Sequence, residues 1–315
     1  MKKRIVFMGT PEYARQNLEA LVDAGYNVVG VFTQPDRPKG RGKKLILSEV
    51  KEYALEKGIE VYQPARIRRA EGVDALKKLK PDICVTAAFG QILSEEVLSI
   101  PRLGTVNVHA SLLPKYRGSS PVNWCIINGE SKTGVTTMMT DKGIDTGDIL
   151  LQRETDILPG ETAGELLIRL GKIGAELLIE TLERLFNGDC PRTKQVESES
   201  SYYPMLKKEM GEIDFSLSAE HIVNLVRGLN PWPGAYIKGE NITLKIHSAE
   251  PIDYSGNEEN GKIIVASPKE GLIIKAGEGA VSVKNLQAPG KRAMDIDAYL
   301  RGNTLPQGKS IYEGM

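Results

Sequence analysis

Short apolar runs alternate with amphipathic segments through the first third of this chain, and that alternation restricts the fold more than any other feature. Arg4-Ile-Val-Phe-Met8 has the pattern of a short buried strand. Gly9-Thr-Pro11 turns the chain, and Glu12 to Ala24 places Ala14, Leu18, Leu21 and Val22 at helical spacing. Gly25 stops that helix. Asn27 to Thr33 is a second strand, and Ser48 to Lys57 a second helix with Ser48 as its N-cap and Gly58 just past its end. Asp82 to Ala88 and Gly104 to His109 are further strands. The pattern predicts an α/β fold: a Rossmann-like, mostly parallel sheet. Such sheets bind ligands beyond the carboxyl ends of their strands, where Phe89-Gly-Gln-Ile-Leu93 and Asn107 to His109 lie.

The grammar changes near Asn187-Gly-Asp-Cys-Pro191. A long amphipathic helix, Ala163 to Phe186, precedes this point, and a polar Glu-Ser-Glu-Ser-Ser run follows it. Beyond Met210 come a helix (His221 to Leu229), the Asn230-Pro-Trp-Pro-Gly234 punctuation, and five short strands: Ala235 to Lys238, Thr243 to Ala249, Lys262 to Ala266, Leu272 to Ala276 and Val281 to Leu286. Closely spaced short strands with turns suggest a small OB-like β-barrel. A length of 315 residues suits two domains. The expected division is a catalytic domain at 1–189, a linker at 190–206 and a C-terminal barrel at 207–315.

Composition excludes several classes. Lys plus Arg and Asp plus Glu number 41 each, which argues against a globally basic nucleic-acid coat but leaves a local patch open. Cys84, Cys125 and Cys190 are an odd, scattered set without CxxC, and read as reduced thiols. No segment approaches the roughly 20 apolar residues of a membrane helix, so no membrane association is expected and the cytoplasm is the default.

Asn107-Val-His-Ala-Ser-Leu-Leu-Pro-Lys-Tyr-Arg-Gly118 is the richest chemical segment. On a strand, period-two spacing puts Asn107 and His109 on one side. A lone histidine at a strand end is ordinarily satisfied by backbone bonds, but a polar pair on one face of an interior strand is costly unless used or fully bonded. The chain has only three histidines, so this one is not diluted. Asp145, 36 residues after His109, sits in Asp141-Lys-Gly-Ile-Asp-Thr-Gly-Asp148. That loop fits a plain Asp/Gly turn as well as a catalytic carboxylate, and it lacks the EF-hand spacing. Gly9-Thr-Pro-Glu12 lacks the glycines of a dinucleotide fingerprint, no Walker pattern is present, and Ser111 lacks the GxSxG elbow. Between Gln34 and Leu47, Pro35-Asp-Arg-Pro-Lys-Gly-Arg-Gly-Lys-Lys44 carries five basic residues and one acid. A solvated loop is the common fate of such a run; contact with a polyanion is the functional reading. Trp232 reads as core or hinge packing rather than a stacking platform.

Together, Val31 to Lys44, Asn107 to Gly118, Asp141 to Asp148 and Asn230-Pro-Trp-Pro233 resemble the methionyl-tRNA formyltransferases, nearly end to end. Asn-x-His-x-Ser-Leu-Leu-Pro with a downstream Asp marks the wider folate-dependent formyltransferase class. The basic loop, Asn-Pro-Trp-Pro and the second domain point to a tRNA acceptor. Sugar-nucleotide formyltransferases are the nearest competitor, ahead of a non-catalytic RNA-binding module.

The resemblance implies that 10-formyltetrahydrofolate is the formyl donor. It would bind beside Phe89, Gly90, Gln91, Ile92, Leu93, Ser111, Leu112, Leu113, Pro114 and Asp141, with no metal. Asn107, His109 and Asp145 are the implied catalytic residues. The implied acceptor is initiator methionyl-tRNA, held by Arg37, Lys39, Arg41, Lys43 and Lys44 of the loop and by Lys207 and Lys208. A monomer is expected. One departure stands out: Lys207 to Met315 holds 13 Lys plus Arg against 14 Asp plus Glu, where the family would carry a positively charged face.

Overall fold

The computed structural model describes residues 2–39, 44–240 and 242–313, with the side chains of Pro38, Lys39 and Lys44 excepted. The chain divides into two compact units: residues 1–121, 132–156 and 167–203 form one, and 122–131, 157–166 and 204–315 the other.

The first unit is built on β1 (Arg4–Gly9), α1 (Glu12–Asp23), β2 (Asn27–Phe32), β3 (Arg37–Lys39), β4 (Lys44–Ile46), α2 (Glu49–Glu56), β5 (Val61–Tyr62), α3 (Ala70–Leu79), β6 (Ile83–Ala87), α4 (Glu95–Leu98) and β7 (Thr105–His109). It continues through β8 (Arg117–Gly118), and, past α5 (Pro121–Ile127), through β9 (Lys132–Met139), β10 (Ile149–Asp156), most of α6 (Ala163–Asn187) and β11 (Tyr202–Tyr203). Seven strands make one sheet in the order β10-β9-β7-β6-β1-β2-β5. The five from β7 to β5 are parallel, and β9 and β10 extend the sheet antiparallel.

Local chemistry explains the elements. The Ser48 hydroxyl accepts the Lys51 N–H and caps α2, as its position before the apolar spacing suggests. Ile5 to Met8 and Ile83 to Val85 are fully buried because both sheet faces are covered. Val6, Met8, Phe32, Leu76, Leu79 and Cys84 form one layer of the core. On β7 and β9, Val108 and Val135 face Gly174 of α6 and Tyr13 of α1, and the glycine lets the helix approach closely.

Two segments differ from expectation. The basic stretch expected as a loop contains two paired strands: β3 lies antiparallel to β4, Arg37 opposite Ile46. Leu45 and Ile46 are exposed, so no buried face marked these strands in the sequence. Residues 40–43, including Arg41 and Lys43, lie outside the described residues. Within the stretch expected as a linker, residues 190–203 carry specific pairings. Thr193 and Ile149 exchange backbone bonds, and β11 pairs parallel with β8.

The second unit contains α7 (Ala219–Gly228), β12 (Ala235–Lys238), β13 (Thr243–Ile252), β14 (Ile263–Ser267), β15 (Gly271–Lys275), β16 (Ala280–Gln287), β17 (Met294–Asp295) and α8 (Ile296–Gly302). The strands form an antiparallel sheet ordered β12-β13-β16-β15-β14, with β17 on β16. Phe215, Ile222, Val226, Ile237, Leu244, Ile274 and Val283 fill its core. The α/β half with a separate antiparallel β half therefore matches the expected fold class.

Candidate active site

Asn107 and His109 come from β7, an interior strand between β6 and β9. Val106 and Val108 take the opposite face into the core. The Thr86 hydroxyl on neighbouring β6 donates to Asn107 Oδ1 at 2.9 Å. That bond orients the carboxamide and leaves Nδ2 without a partner among the described residues, an open N–H donor at the strand end.

His109 is only 7% exposed. Its Nε2 lies 3.0 Å from the Tyr116 carbonyl oxygen. A carbonyl only accepts, so Nε2 carries the hydrogen, and Nδ1 is the nitrogen left for chemistry. Nδ1 faces Asp145 Oδ1 at 3.7 Å, inside ion-pair range but longer than a hydrogen bond. Asp145 Oδ2 accepts the Gly118 N–H at 2.9 Å. The three residues expected from sequence thus come together, from strand β7 and the loop between β9 and β10 of one unit.

Backbone strain gathers here. Four described non-glycine residues have positive φ, and three of them are Ala88, Tyr116 and Asp145. Such conformations are unfavourable for residues with a Cβ and persist where surrounding contacts impose them. Gly118, at φ +111°, cannot carry a Cβ at all, because it would collide with the Tyr203 carbonyl oxygen.

The formyl transferase family matches residues 2–182, and the formyl transferase C-terminal domain family matches residues 205–304. A methionyl-tRNA formyltransferase of Clostridioides difficile strain 630 is 48% identical over 305 residues, covering 97% of this chain and 98% of the relative. One from Clostridium novyi strain NT is 49% identical over 303 residues, covering 96% and 97%. The chain belongs to the methionyl-tRNA formyltransferase family.

Solved structures share its fold at lower identity. An N-formyltransferase from Helicobacter canadensis, in complex with folinic acid and dTDP-3-aminofucose, aligns with a TM-score of 0.66 at 23% identity over 90% of this chain and 99% of that one. HypX from Aquifex aeolicus, in complex with tetrahydrofolic acid, aligns at 0.65 and 18% identity. The alignment covers 95% of this chain but only 47% of HypX, so the chain spans about half of HypX.

In this methionyl-tRNA formyltransferase family member the residues expected around the formyl donor divide into two groups. Ile92 is 67% exposed, and Ile144, in the Asp141 to Asp148 loop, is 56% exposed. Lys142 of that loop reaches Glu95, just past Leu93, at 4.0 Å. Among the described residues the backbone groups of Ile92 and Leu93 make no hydrogen bond. Gly90 is exposed and Pro114 and Leu112 are half-buried. The other residues are struts. Gln91 is spent on Ile67 N and Pro64 O, and the Phe89 ring is buried while its carbonyl accepts from Gln34. The Ser111 hydroxyl bonds the Lys115 carbonyl, buried Leu113 donates its N–H to Thr136, and Asp141 caps its own turn through Gly143 N and Thr146 Oγ1.

Of the expected tRNA-contacting residues, Arg37 is exposed on β3 of the first unit, and Lys207 and Lys208 are exposed on the second. Asp36, Lys51 and Gln63 interlock just before β3. In the second unit Lys238, Lys245, Lys291 and Arg292 are exposed too, whereas Arg227 is half-buried against Asn224. Burial pushes the Cys84 and Cys190 thiols up, away from nucleophilic thiolates. Among the described residues no group of His, Cys, Asp or Glu is placed to hold a metal ion, and no helix is long and apolar enough to cross a membrane.

Sequence reasoning missed Thr86, Tyr116, Arg117 and Gln195. Thr86 falls two residues before Ala88 on a strand already identified, and its register opposite Asn107 is the signal that was available. Tyr116 acts through its carbonyl, which no side-chain pattern reports.

Proposed function

We propose that this enzyme transfers the formyl group of 10-formyltetrahydrofolate to the α-amine of methionine on initiator methionyl-tRNA, yielding the formylated initiator for translation. The assembled Asn107, His109 and Asp145, with Nδ2 of Asn107 unpartnered among the described residues and Nδ1 of His109 facing Asp145, is the observation that carries the chemistry. The acceptor rests on near-half identity with methionyl-tRNA formyltransferases along the whole chain.

Formyl transfer makes the formyl oxygen negative as the amine adds, and then requires a proton to pass from the amine toward N10 of the departing folate. Asn107 Nδ2 donates to that oxygen, and His109 Nδ1, the ring nitrogen without a hydrogen in the Nε2–H tautomer, becomes a second donor once it takes the proton the amine releases. Losing one such donor costs ~10²–10³ in rate. Asp145 lies against Nδ1 and carries the proton, a contribution of ~10²–10⁴. The open backbone of Ile92 and Leu93, between the exposed Ile92 and Ile144, suits a flat heterocycle with amide-like edges. Phe89, Gln91, Ser111, Leu113 and Asp141 hold those walls in place, and Gly90, Leu112 and Pro114 line them.

The acceptor stem is gripped by Arg37, Lys39, Arg41, Lys43 and Lys44 and by Lys207 and Lys208, through phosphate contacts that require positive charge. Function divides at 1–189 for catalysis and 207–315 for tRNA binding. The enzyme acts as a monomer, and the tRNA substrate places the reaction in the cytoplasm.

The test is turnover in folded variants. Asn107→Ala, His109→Ala and Asp145→Ala each lower kcat for formylation of methionyl-tRNA by at least ~10²-fold. Near-normal turnover in folded His109→Ala protein overturns the assignment.

A further inference from the structure

Residues 191–199 lie on the surface with one interruption: Gln195 alone among them is half-buried. Its side chain enters the catalytic loop. Nε2 donates at 2.8 Å to the carbonyl of Asp145 and at 2.8 Å to the carbonyl of Gly147. An amide nitrogen has two hydrogens, so both carbonyls are served at once. Oε1 accepts from Arg117 Nε at 3.1 Å, and Arg117 Nη1 pairs with Glu197 at 2.9 Å. The amide cannot be turned over, since the flipped group would set oxygen against two carbonyls and N–H against a guanidinium.

The strand of chain that presents Gln195 is fastened at both ends. On one side Thr193 exchanges two backbone bonds with Ile149. On the other, Ser201 takes the Arg117 N–H on its carbonyl and the Tyr116 N–H on its hydroxyl, and donates its own N–H to Pro114. Tyr116 stacks on Tyr203 with ring centroids 4.9 Å apart. The fastened positions are those that supply the other contacts of the trio: the Tyr116 carbonyl for His109 and the Gly118 N–H for Asp145.

Asp145 needs such a hold. Its φ of +55° is unfavourable for a residue with a Cβ, and among the described residues Gln195 is the only side-chain donor to the carbonyls of Asp145 and Gly147. We infer that Gln195 is a positioning residue for formyl transfer, holding the Asp145 turn so that the carboxylate faces His109 Nδ1. The inference rests on the reading of Asp145 as part of the reaction. Gln195 acts through the backbone of the turn, by its bonds to the Asp145 and Gly147 carbonyls. A carboxylate at 195 has no hydrogen to give, and a methionine fills the space with no donor.

The experiment is a double-mutant cycle on formylation of methionyl-tRNA, using Gln195→Met and Gln195→Glu, each alone and combined with Asp145→Asn. Misplacing a catalytic group by about 1 Å costs up to ~10²-fold, so either single change at 195 should lower kcat by about 10- to 100-fold. KM for both substrates and the thermal midpoint should stay near wild type. In the Asp145→Asn background the same changes should cost no more than about twofold, because the group they position is already gone. A cost equal in both backgrounds, or a kcat unchanged by either variant, overturns the inference. So does a fall in kcat explained by an equal fall in folded protein. If Asp145→Asn itself leaves kcat unchanged, the reading of Asp145 fails and takes this inference with it. Two variants of opposite character keep the test usable if one of them folds poorly.

Discussion

Replacing Thr86 by valine isolates one atom of this site. Valine keeps the shape of threonine and removes only the hydroxyl that donates to Asn107 Oδ1 at 2.9 Å. The same hydroxyl lies 3.4 Å from the Val106 carbonyl, so the shorter contact to Asn107 is the one that matters. With it gone, nothing on β6 distinguishes the two orientations of the carboxamide. One of them turns Nδ2 toward the reacting oxygen, and the other turns Oδ1 there. A neutral hydrogen bond contributes a net ~0.5–1.5 kcal/mol, a ratio of roughly 2–12 between the two orientations, so its loss lowers the correctly presented share from about 0.7–0.9 to about one half. Thr86→Val should therefore reduce kcat by about 1.4- to 1.9-fold, against ~10²–10³ for Asn107→Ala, where the donor itself is deleted. The assay is single-turnover transfer at saturating formyl donor, which reads the chemical step without product release. Thr86→Val at the wild-type rate, beside a crippled Asn107→Ala, refutes the orienting role. A fall as deep as that of Asn107→Ala refutes it as well, because the donor would still be present.

Gly118→Ala sets a Cβ against the Tyr203 carbonyl at φ +111°; it should destabilise the protein by about 1–3 kcal/mol and lower kcat by ~10², read by thermal melts and turnover, and an alanine variant that melts and turns over like wild type contradicts it. Asp82 is held below the ordinary carboxylate range by the Arg4 N–H and, after the opposing effect of burial, by Arg102. A depressed folded value means that its stabilisation is present above about pH 4 and is lost as pH falls through the folded value. The melting temperatures of wild type and Asp82→Asn should accordingly converge as pH falls below about 4, and a constant gap down that range would rule this out. Arg37→Ala should weaken methionyl-tRNA binding and reduce the slope of log Kd against log salt by about one, measured by titration at several salt concentrations; an unchanged slope removes Arg37 from the phosphate contacts.

Much of the catalytic half was legible because its chemistry is local. The Ser48 cap, the Gly25 stop and the period-two pairing of Asn107 with His109 are set within a few residues, and the structure has all three. The strand Lys132–Met139 is buried almost throughout, yet Lys-Thr-Gly-Val-Thr-Thr-Met-Met has no apolar run. Its threonines are buried because their hydroxyls find partners, Thr136 on the Ser111 carbonyl and Thr137 on Thr181, and those partners come from distant segments. The paired strands 37–39 and 44–46 leave Arg37, Leu45 and Ile46 exposed, so periodicity could not mark them. The same limit hid Gln195. A polar residue in a polar run looks like solvent-facing chain, and only the fastening of residues 193 and 201 brings it to Asp145.

The most direct test of the whole account mixes the purified protein with 10-formyltetrahydrofolate and, in parallel, methionyl-initiator tRNA, deacylated tRNA and a UDP-amino-sugar. The formylated product is then identified after deacylation. Formyl-methionine from the charged tRNA alone, lost in Asn107→Ala and His109→Ala, is the predicted result. Formylation of the amino-sugar without formyl-methionine would keep the catalytic trio and contradict the assignment of the basic stretch and the second unit to tRNA.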